Sequence, residues 1–368
     1  MKFLRAENGF VSKRYRASHG GCANRIKPFL LLIKLCGMFA NEITKGRVKR
    51  CSWPIYGICV FWLSLYVSHV CFLLCYFAKG ESIQITLTIE FTKHLIGYAS
   101  LGVNVIAAYT AQDSVVKFFD RLDSYDSEVA RMKNTRQDHL WILSIATFAT
   151  FVINLMLASV IASEITNDIM FFMILSDIFT TIMHMCGTLG KSLMLYLLLE
   201  RFRHLNRKIA PSVSWDEKRH GSNAIKVLDV KTLHSMLYDA QQAFCNMYNN
   251  PMLMWFASLM IHVVANIRAF RQKPLILACA LVCPGILQVF ALCTMCHYTT
   301  QEANRIACVL NEDMCRLVSS GETMVKIDVF TYFLHNQVSF EAAGFFTIDL
   351  PLFQSIVAAI TTYFIILI

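Results

Sequence analysis

The chain has 368 residues, 56% of them hydrophobic and only 16% charged, with a mean hydropathy of +0.48. A soluble domain carries about 25% charged residues, so a water-soluble globule is excluded, and long apolar runs mean membrane helices, not a barrel. The net charge of +9 is local: residues 1–54 hold 12 Lys/Arg against 2 Asp/Glu and the remainder is close to neutral, which excludes a nucleic-acid partner.

The basic arm, 1–54, is a topology signal that predicts a cytoplasmic N-terminus. Anionic-lipid binding is the second use of such an arm. Within it, Phe29 to Ala40 is too short to span, carries Lys34 at its middle and lacks a small-residue cleavage pattern. It reads as a helix lying at the inner membrane interface.

Crossing a ~30 Å hydrocarbon core takes roughly 20 apolar residues as helix. The first span is predicted over Tyr56–Phe77 and the second over Ile85–Ala111. A polar, helix-prone linker runs from Gln112 to His139, and the third span over Trp141–Ala162. The fourth starts near Ile169 and stays helical through Leu199 into Glu200-Arg201-Phe202-Arg203-His204. After a polar stretch the fifth span covers Met252–Ile267 and the sixth Pro274–His297. The seventh, Leu350–Ile368, follows a cytosolic return. Pro251 and Pro351 are read at span starts, where a missing N–H is harmless.

The fold class is therefore all-α: seven transmembrane helices, N-terminus cytoplasmic and C-terminus extracellular. Its segments are a basic arm (1–54), spans one to four with their linker (55–199), a cytosolic helical extension serving as an anchor (200–250), spans five and six (251–297), a cytosolic anchor segment (298–349) and the seventh span (350–368). That orientation is the reverse of a G-protein-coupled receptor. Lys/Arg crowd the predicted cytosolic segments, as the orientation requires. The cluster Arg268, Arg271 and Lys273 in an outer loop runs against it; lipid-phosphate contact and an outer vestibule ring both account for it.

Polar residues inside spans are costly and point to pairing or to a wet cavity. Glu90, Lys93 and His94 share one face of the second span, with Tyr98 a turn further on. Asp177, Thr181 and His184 share a face of the fourth, and His262 and Asn266 a face of the fifth. Asn154 and Gln288 add single amides on the third and sixth. Interhelical hydrogen bonding explains any one of them; together they suggest a hydrated cavity in the outer halves of the spans, a candidate ligand pocket. Lys191, near the inner end of the fourth span, is expected to snorkel.

No nucleotide-binding glycine motif and no His-Glu-x-x-His is present, and Cys293-x-x-Cys296-His297 sits at the cytosolic end of a span, away from any haem-attachment compartment. No cofactor, no metal site and no enzymatic activity are expected. The 14 cysteines fall in spans or cytosolic segments, so no disulfide framework is expected.

The stretch Ala343-Gly344-Phe345-Phe346-Thr347-Ile348-Asp349, with Ile356 to Tyr363 after a short gap, resembles the C-terminal signature of insect gustatory receptors, within the insect odorant and gustatory chemoreceptor superfamily. The family motif is Thr-Tyr, five hydrophobic residues, then Gln-Phe. Thr362-Tyr363 and the five hydrophobics Phe364 to Ile368 match; the Gln-Phe would follow Ile368. Leu30 to Phe39 is also similar to the family's N-terminal segment.

The resemblance implies a tetrameric ligand-gated, non-selective cation channel in the plasma membrane of a sensory dendrite. Four seventh spans would line one pore, and each subunit would hold its own pocket. It implies a small-molecule tastant, bitter compounds among them, a lipid bilayer and a homo- or hetero-tetramer with related receptors as partners, with no G protein required. Ser355, Ala359, Thr362 and Ile366 fall at i, i+4, i+7 and i+11, one stripe of the last helix. In such a channel they are pore-lining, with Ile366 an apolar constriction that gates by dewetting. Ordinary helix packing explains the same stripe. A receptor signalling through G proteins and a membrane transporter are the competing functions.

Overall fold

The computed structural model describes residues 21–51, 54–78, 85–132, 168–213, 225–267, 275–317 and 324–367. The predicted third span with Asn154, and the cluster Arg268, Arg271 and Lys273, lie outside the described residues.

Two short helices, α1 (Cys22–Arg25) and α2 (Lys27–Leu35), open the described chain. The end of α2 is a Schellman turn: Met38 N–H donates to the Ile33 carbonyl (3.1 Å) and Gly37 N–H to that of Lys34 (2.9 Å). Gly37 takes φ +74° there, with the Trp62 ring so close that a Cβ would sit 2.7 Å from it. A small antiparallel hairpin follows, β1 (Glu42–Thr44) with β2 (Arg47–Lys49). Asn41 ties this hairpin to the bundle, its amide donating to the carbonyls of Lys49 (3.2 Å) and Gln112 (3.1 Å).

The bundle consists of α3 (Pro54–Ala78), α4 (Ile85–Thr110), α5 (Gln112–Arg131), α6 (Asp168–His204), α7 (Val227–Ile267), α8 (Leu275–Leu317), α9 (Met324–His335) and α10 (Leu350–Leu367). Among the described residues, four helices are long and apolar enough to cross a membrane, lying within α3, α6, α7 and α8, and α10 is a shorter apolar helix. The 26-residue α4, which carries Glu90, Lys93 and His94, falls outside those four.

Helix α7 is the centre of the bundle, packed by α4, α5, α6 and α8. Its 41 residues make about 60 Å of helix, twice a hydrocarbon core. Helices α6 and α8, of 37 and 43 residues, are comparably long. The predicted fifth span and the polar stretch before it are thus one continuous helix, and so are the sixth span and the segment beyond it. Pro251 lies inside α7, not at a helix start as its position beside the apolar run suggested. It gives up one backbone bond there, and burial in the bundle holds the helix on both sides.

The polar half of α7 is covered by α5, whose Val115, Phe118, Phe119, Leu122, Tyr125 and Val129 form one buried stripe. Arg201 of α6 is fully buried beside it and forms a two-nitrogen fork on Asp126 (3.1 and 2.5 Å). The segment leading to α10 is held by Asn304 of α8, which exchanges two hydrogen bonds with the backbone of Val338 (2.8 and 3.0 Å). Strands β3 (Glu341–Ala342) and β4 (Phe346–Thr347) then turn the chain, and Asp349 caps α10 by accepting from Leu352 N–H at 2.9 Å.

Candidate functional site

The polar faces predicted separately on four helices meet at one place. Lys93 of α4 is buried, and its ammonium lies 2.7 Å from Asp177 of α6 and 2.6 Å from Glu90, one turn back on its own helix. Asn266 of α7 accepts a longer bond from it at 3.4 Å. Spacing alone places Glu90 beside Lys93; only the register between α4 and α6 places Asp177 there.

Imidazoles surround this ion cluster. His94 Nε2 is 3.8 Å from Asp177 Oδ1, and its Nδ1 is 3.2 Å from the Ser176 hydroxyl. Ser176 also meets the Tyr98 hydroxyl (2.8 Å) and His69 Nε2 (3.1 Å). His184 Nε2 meets the Ser258 hydroxyl at 3.1 Å, and Thr188 donates to Gln288 at 3.1 Å. Lys93, His94, Thr181, His184, His262, Gly285 and Gln288 line the cavity that remains, with a volume of about 10 Å³, room for a single water.

Asp177 Oδ1, His94 Nε2, His184 Nδ1 and Gln288 Nε2 are buried in this region with no hydrogen-bond partner among the described residues. Buried polar atoms are normally satisfied, so a cluster of open ones marks a place built for a polar occupant or for water. Ligand atoms of Glu90, His94 and Asp177 lie within 4.8 Å of one another, a spacing that suits a metal ion. The Lys93 ammonium already sits on both carboxylates, so the positive charge in that cage is the lysine's own.

Nine of the ten pocket residues singled out in the sequence thus gather around one cluster, and Asn154 lies outside the described residues. Ser176, Ser258 and His69 are additions. His69 is visible as the one histidine in a predicted span without Asp, Glu, Lys or Arg; the two serines give no signal, because a small hydroxyl fits any membrane helix. Lys191 does not snorkel. It is 1% exposed and donates to Asn104 Oδ1 at 3.1 Å, under the N-terminal segment that packs across Gly187 and Gly190.

On α10 the stripe Ser355, Ala359, Thr362 and Ile366 is exposed along its length, Ile366 at 76%. The Ser355 and Thr362 hydroxyls donate back to the carbonyls of Pro351 and Ala358, so neither needs a partner across a helix interface. The opposite face carries Ile360, Tyr363 and Phe364, which pack with Val263 and Ile267 of α7 and Val282 and Ile286 of α8. Tyr363 of the family motif is therefore a packing residue.

A long-helix bundle with an internal polar cluster defines a multi-pass membrane protein with a receptor's interior. The model of the 7tm chemosensory receptor family matches residues 26–368, and the chain belongs to that family. Comparison with curated protein sequences finds no match. Among solved structures the chain is similar to the insect olfactory receptor OR5 from Machilis hrabei in complex with eugenol, at TM-score 0.64 and 14% identity, covering 94% of this chain and 97% of that one. A second structure of the same receptor matches at TM-score 0.62 and 15% identity over the same shares. The fold is that of a seven-helix insect chemosensory receptor.

Proposed function

We propose that the chain is one subunit of a gustatory-type, tastant-gated, non-selective cation channel, with its N-terminus in the cytoplasm and α10 lining the pore of a homo- or hetero-tetramer. The observation that carries this reading is the double duty of α7. His262 lines the polar cavity and Asn266 accepts from Lys93, while Val263 and Ile267 on the same turns pack against α10. A ligand that widens the cavity displaces the helix on which the last span rests. The exposed stripe of α10 supports the same reading, because a face turned away from its own bundle suits a shared axis.

The related receptor OR5 was solved with eugenol, a small molecule, which supports a small-molecule ligand here. With an ammonium, two carboxylates, imidazoles and hydroxyls around it, the cavity suits a polar or amphiphilic, non-volatile compound. A cavity of about 10 Å³ does not admit such a molecule, so this conformation is the closed one, and the ligand acts by its higher affinity for an expanded state.

The test is a current recording from cells expressing the chain alone and with related receptors, with G-protein signalling blocked, over a panel of tastants. Ligand-evoked current with unitary steps is expected. Loss of all current under the block favours a G-protein-coupled receptor, and ligand uptake without unitary steps favours a transporter.

A further inference from the structure

Among the described residues, three lysine or arginine side chains are buried in the bundle: Lys93, Lys191 and Arg201. Lys93 sits on Asp177 and Glu90, and Arg201 on Asp126. Lys191 has no carboxylate against it among the described residues. The predicted third span contains no Asp or Glu between 141 and 162, so it cannot supply one. Asp177 is on the same helix but about 21 Å away along its axis.

What surrounds Lys191 instead is one neutral acceptor and two aromatic rings. An ammonium has three N–H groups, and Asn104 Oδ1 takes one of them at 3.1 Å. The Asn104 amide is itself fixed by donating to the Ser100 carbonyl at 2.8 Å, which keeps its oxygen turned toward the lysine. The rings of Tyr248 and Trp255 flank the Nζ at 5.5 and 5.7 Å from their centroids. Trp255 Nε1 is another buried donor with no partner among the described residues.

Beside the ammonium lies a cavity of about 20 Å³ between the N-terminal segment and helices α4, α6 and α7. Ile33, Met38, Ala108 and Gly187 give it apolar walls, and Lys191 and Asn104 its polar end. Gly187 keeps the space open, since a Cβ there would stand 3.6 Å from Lys191 Nζ and 3.1 Å from the Met38 sulfur. A buried positive charge with spare donors and an adjoining void lacks one component, an acceptor carrying negative charge. The volume holds one monatomic ion and excludes a phosphate headgroup.

We propose that this cavity binds a single small monovalent anion of the halide class, chloride in the cell, as the counter-ion of Lys191. The ion neutralises the lysine and fastens the N-terminal segment over α6. The site is separate from the polar cluster around Lys93 and does not depend on what that cluster binds.

The test uses the full chain in nanodiscs of phosphatidylcholine, which carries no net charge, melted in sodium chloride and in sodium gluconate of equal ionic strength. A higher melting temperature in chloride is expected. Iodide titration of tryptophan fluorescence is expected to show a saturable quenching component above the linear background. That component should be lost in Lys191→Met, kept in Lys191→Arg and lost in Trp255→Phe, whose melting temperature still responds to chloride. Equal melting in the two salts with linear quenching of the wild-type protein overturns the proposal, whatever the variants do. A saturable component that survives Lys191→Met also overturns it, as does stabilisation by phosphatidylglycerol with none by chloride.

Discussion

Removing both members of the buried Lys93–Asp177 pair should destabilise the bundle by less than the sum of the two single losses. At 2.7 Å and an effective dielectric constant of about 20, the two charges attract by about 6 kcal/mol, most of it offset by desolvation. Asp177→Asn leaves the Lys93 ammonium, 2% exposed, with Glu90 as its remaining acid, so the loss should sit near the lower end of the ~3–5 kcal/mol seen when a buried pair is broken. Lys93→Met is the worse change, because it leaves two carboxylates facing each other. The double variant Lys93→Met/Asp177→Asn leaves only Glu90, which is the more exposed acid at 29%. It should recover about 2 kcal/mol relative to the sum of the single changes. For a chain of this length about 3 kcal/mol corresponds to a shift of roughly 4 °C, measurable by tryptophan-fluorescence melting in nanodiscs at a fixed scan rate. If the losses of the two single variants simply add, the ammonium and the carboxylate are not coupled, and the ion cluster is not the unit described above.

Gly37→Ala should cost about 1–2 kcal/mol, because φ +74° is strained for alanine and its Cβ would sit 2.7 Å from the Trp62 ring. An unchanged melting temperature would refute the Schellman turn at the end of α2. His234, buried among Phe202, Phe333 and Tyr332, has its imidazole pushed down to about 4 by burial. The unfolded chain therefore binds the proton more readily, so stability is full above about pH 6.5 and falls by up to about 3 kcal/mol as pH drops toward 4. His234→Gln should flatten that part of the profile of melting temperature against pH; an identical profile would refute it. If α10 lines a pore, Ile366→Ala trims an apolar side chain that is 76% exposed and should raise the resting current measured without ligand, with unchanged leak as the refuting result.

The sequence carried the helices that stand alone and obscured those that merge. Apolar runs of spanning length announced α3 and α10, and Asp349 marked its helix start by residue type and position. The first half of α7 falls in the stretch 200–250, which reads as a cytosolic helical extension separate from the fifth span because its side chains are mixed in polarity. Leu233, Leu237 and Phe244 are buried, while the polar Ser235, Asp239 and Gln242 between them are partly covered, so the stretch has neither a span's hydropathy nor a loop's turn residues. Within the cluster, helical spacing was enough to place Glu90 with Lys93, and Thr181 with Asp177. Contacts between helices depend on axial register, which no single-helix periodicity encodes, and the Lys93–Asp177 and His184–Ser258 pairs were hidden for that reason. Lys191 was misread by the same limit. A lysine near a helix end snorkels when lipid or water covers it, and here Met38 and Ile33 cover its helix across two glycines.

Gly285 is the position where the coupling between cavity and last helix can be perturbed without touching a charge. It lines the polar cavity, and a Cβ there would lie 2.9 Å from Val263 Cγ2. Valine is stiff at χ1, so the clash cannot be relieved by a rotamer change alone and α7 and α8 must separate locally. The same Val263 belongs to the small apolar cluster on which Ile360, Tyr363 and Phe364 in the second half of α10 rest, while Leu352, Phe353 and Ile356 in its first half pack against the main core. The half seated on the small satellite cluster moves at lower cost than the half rooted in the main core. Gly285→Ala should therefore mimic part of what a ligand does, shifting the resting equilibrium toward the expanded state and lowering the half-activating tastant concentration severalfold, about 1 kcal/mol of bias. Concentration–response recordings of wild type and Gly285→Ala in the same cells measure it. An unchanged midpoint and resting current, in a variant that reaches the membrane in normal amount, would show that the α7–α8 contact does not connect the cavity to α10.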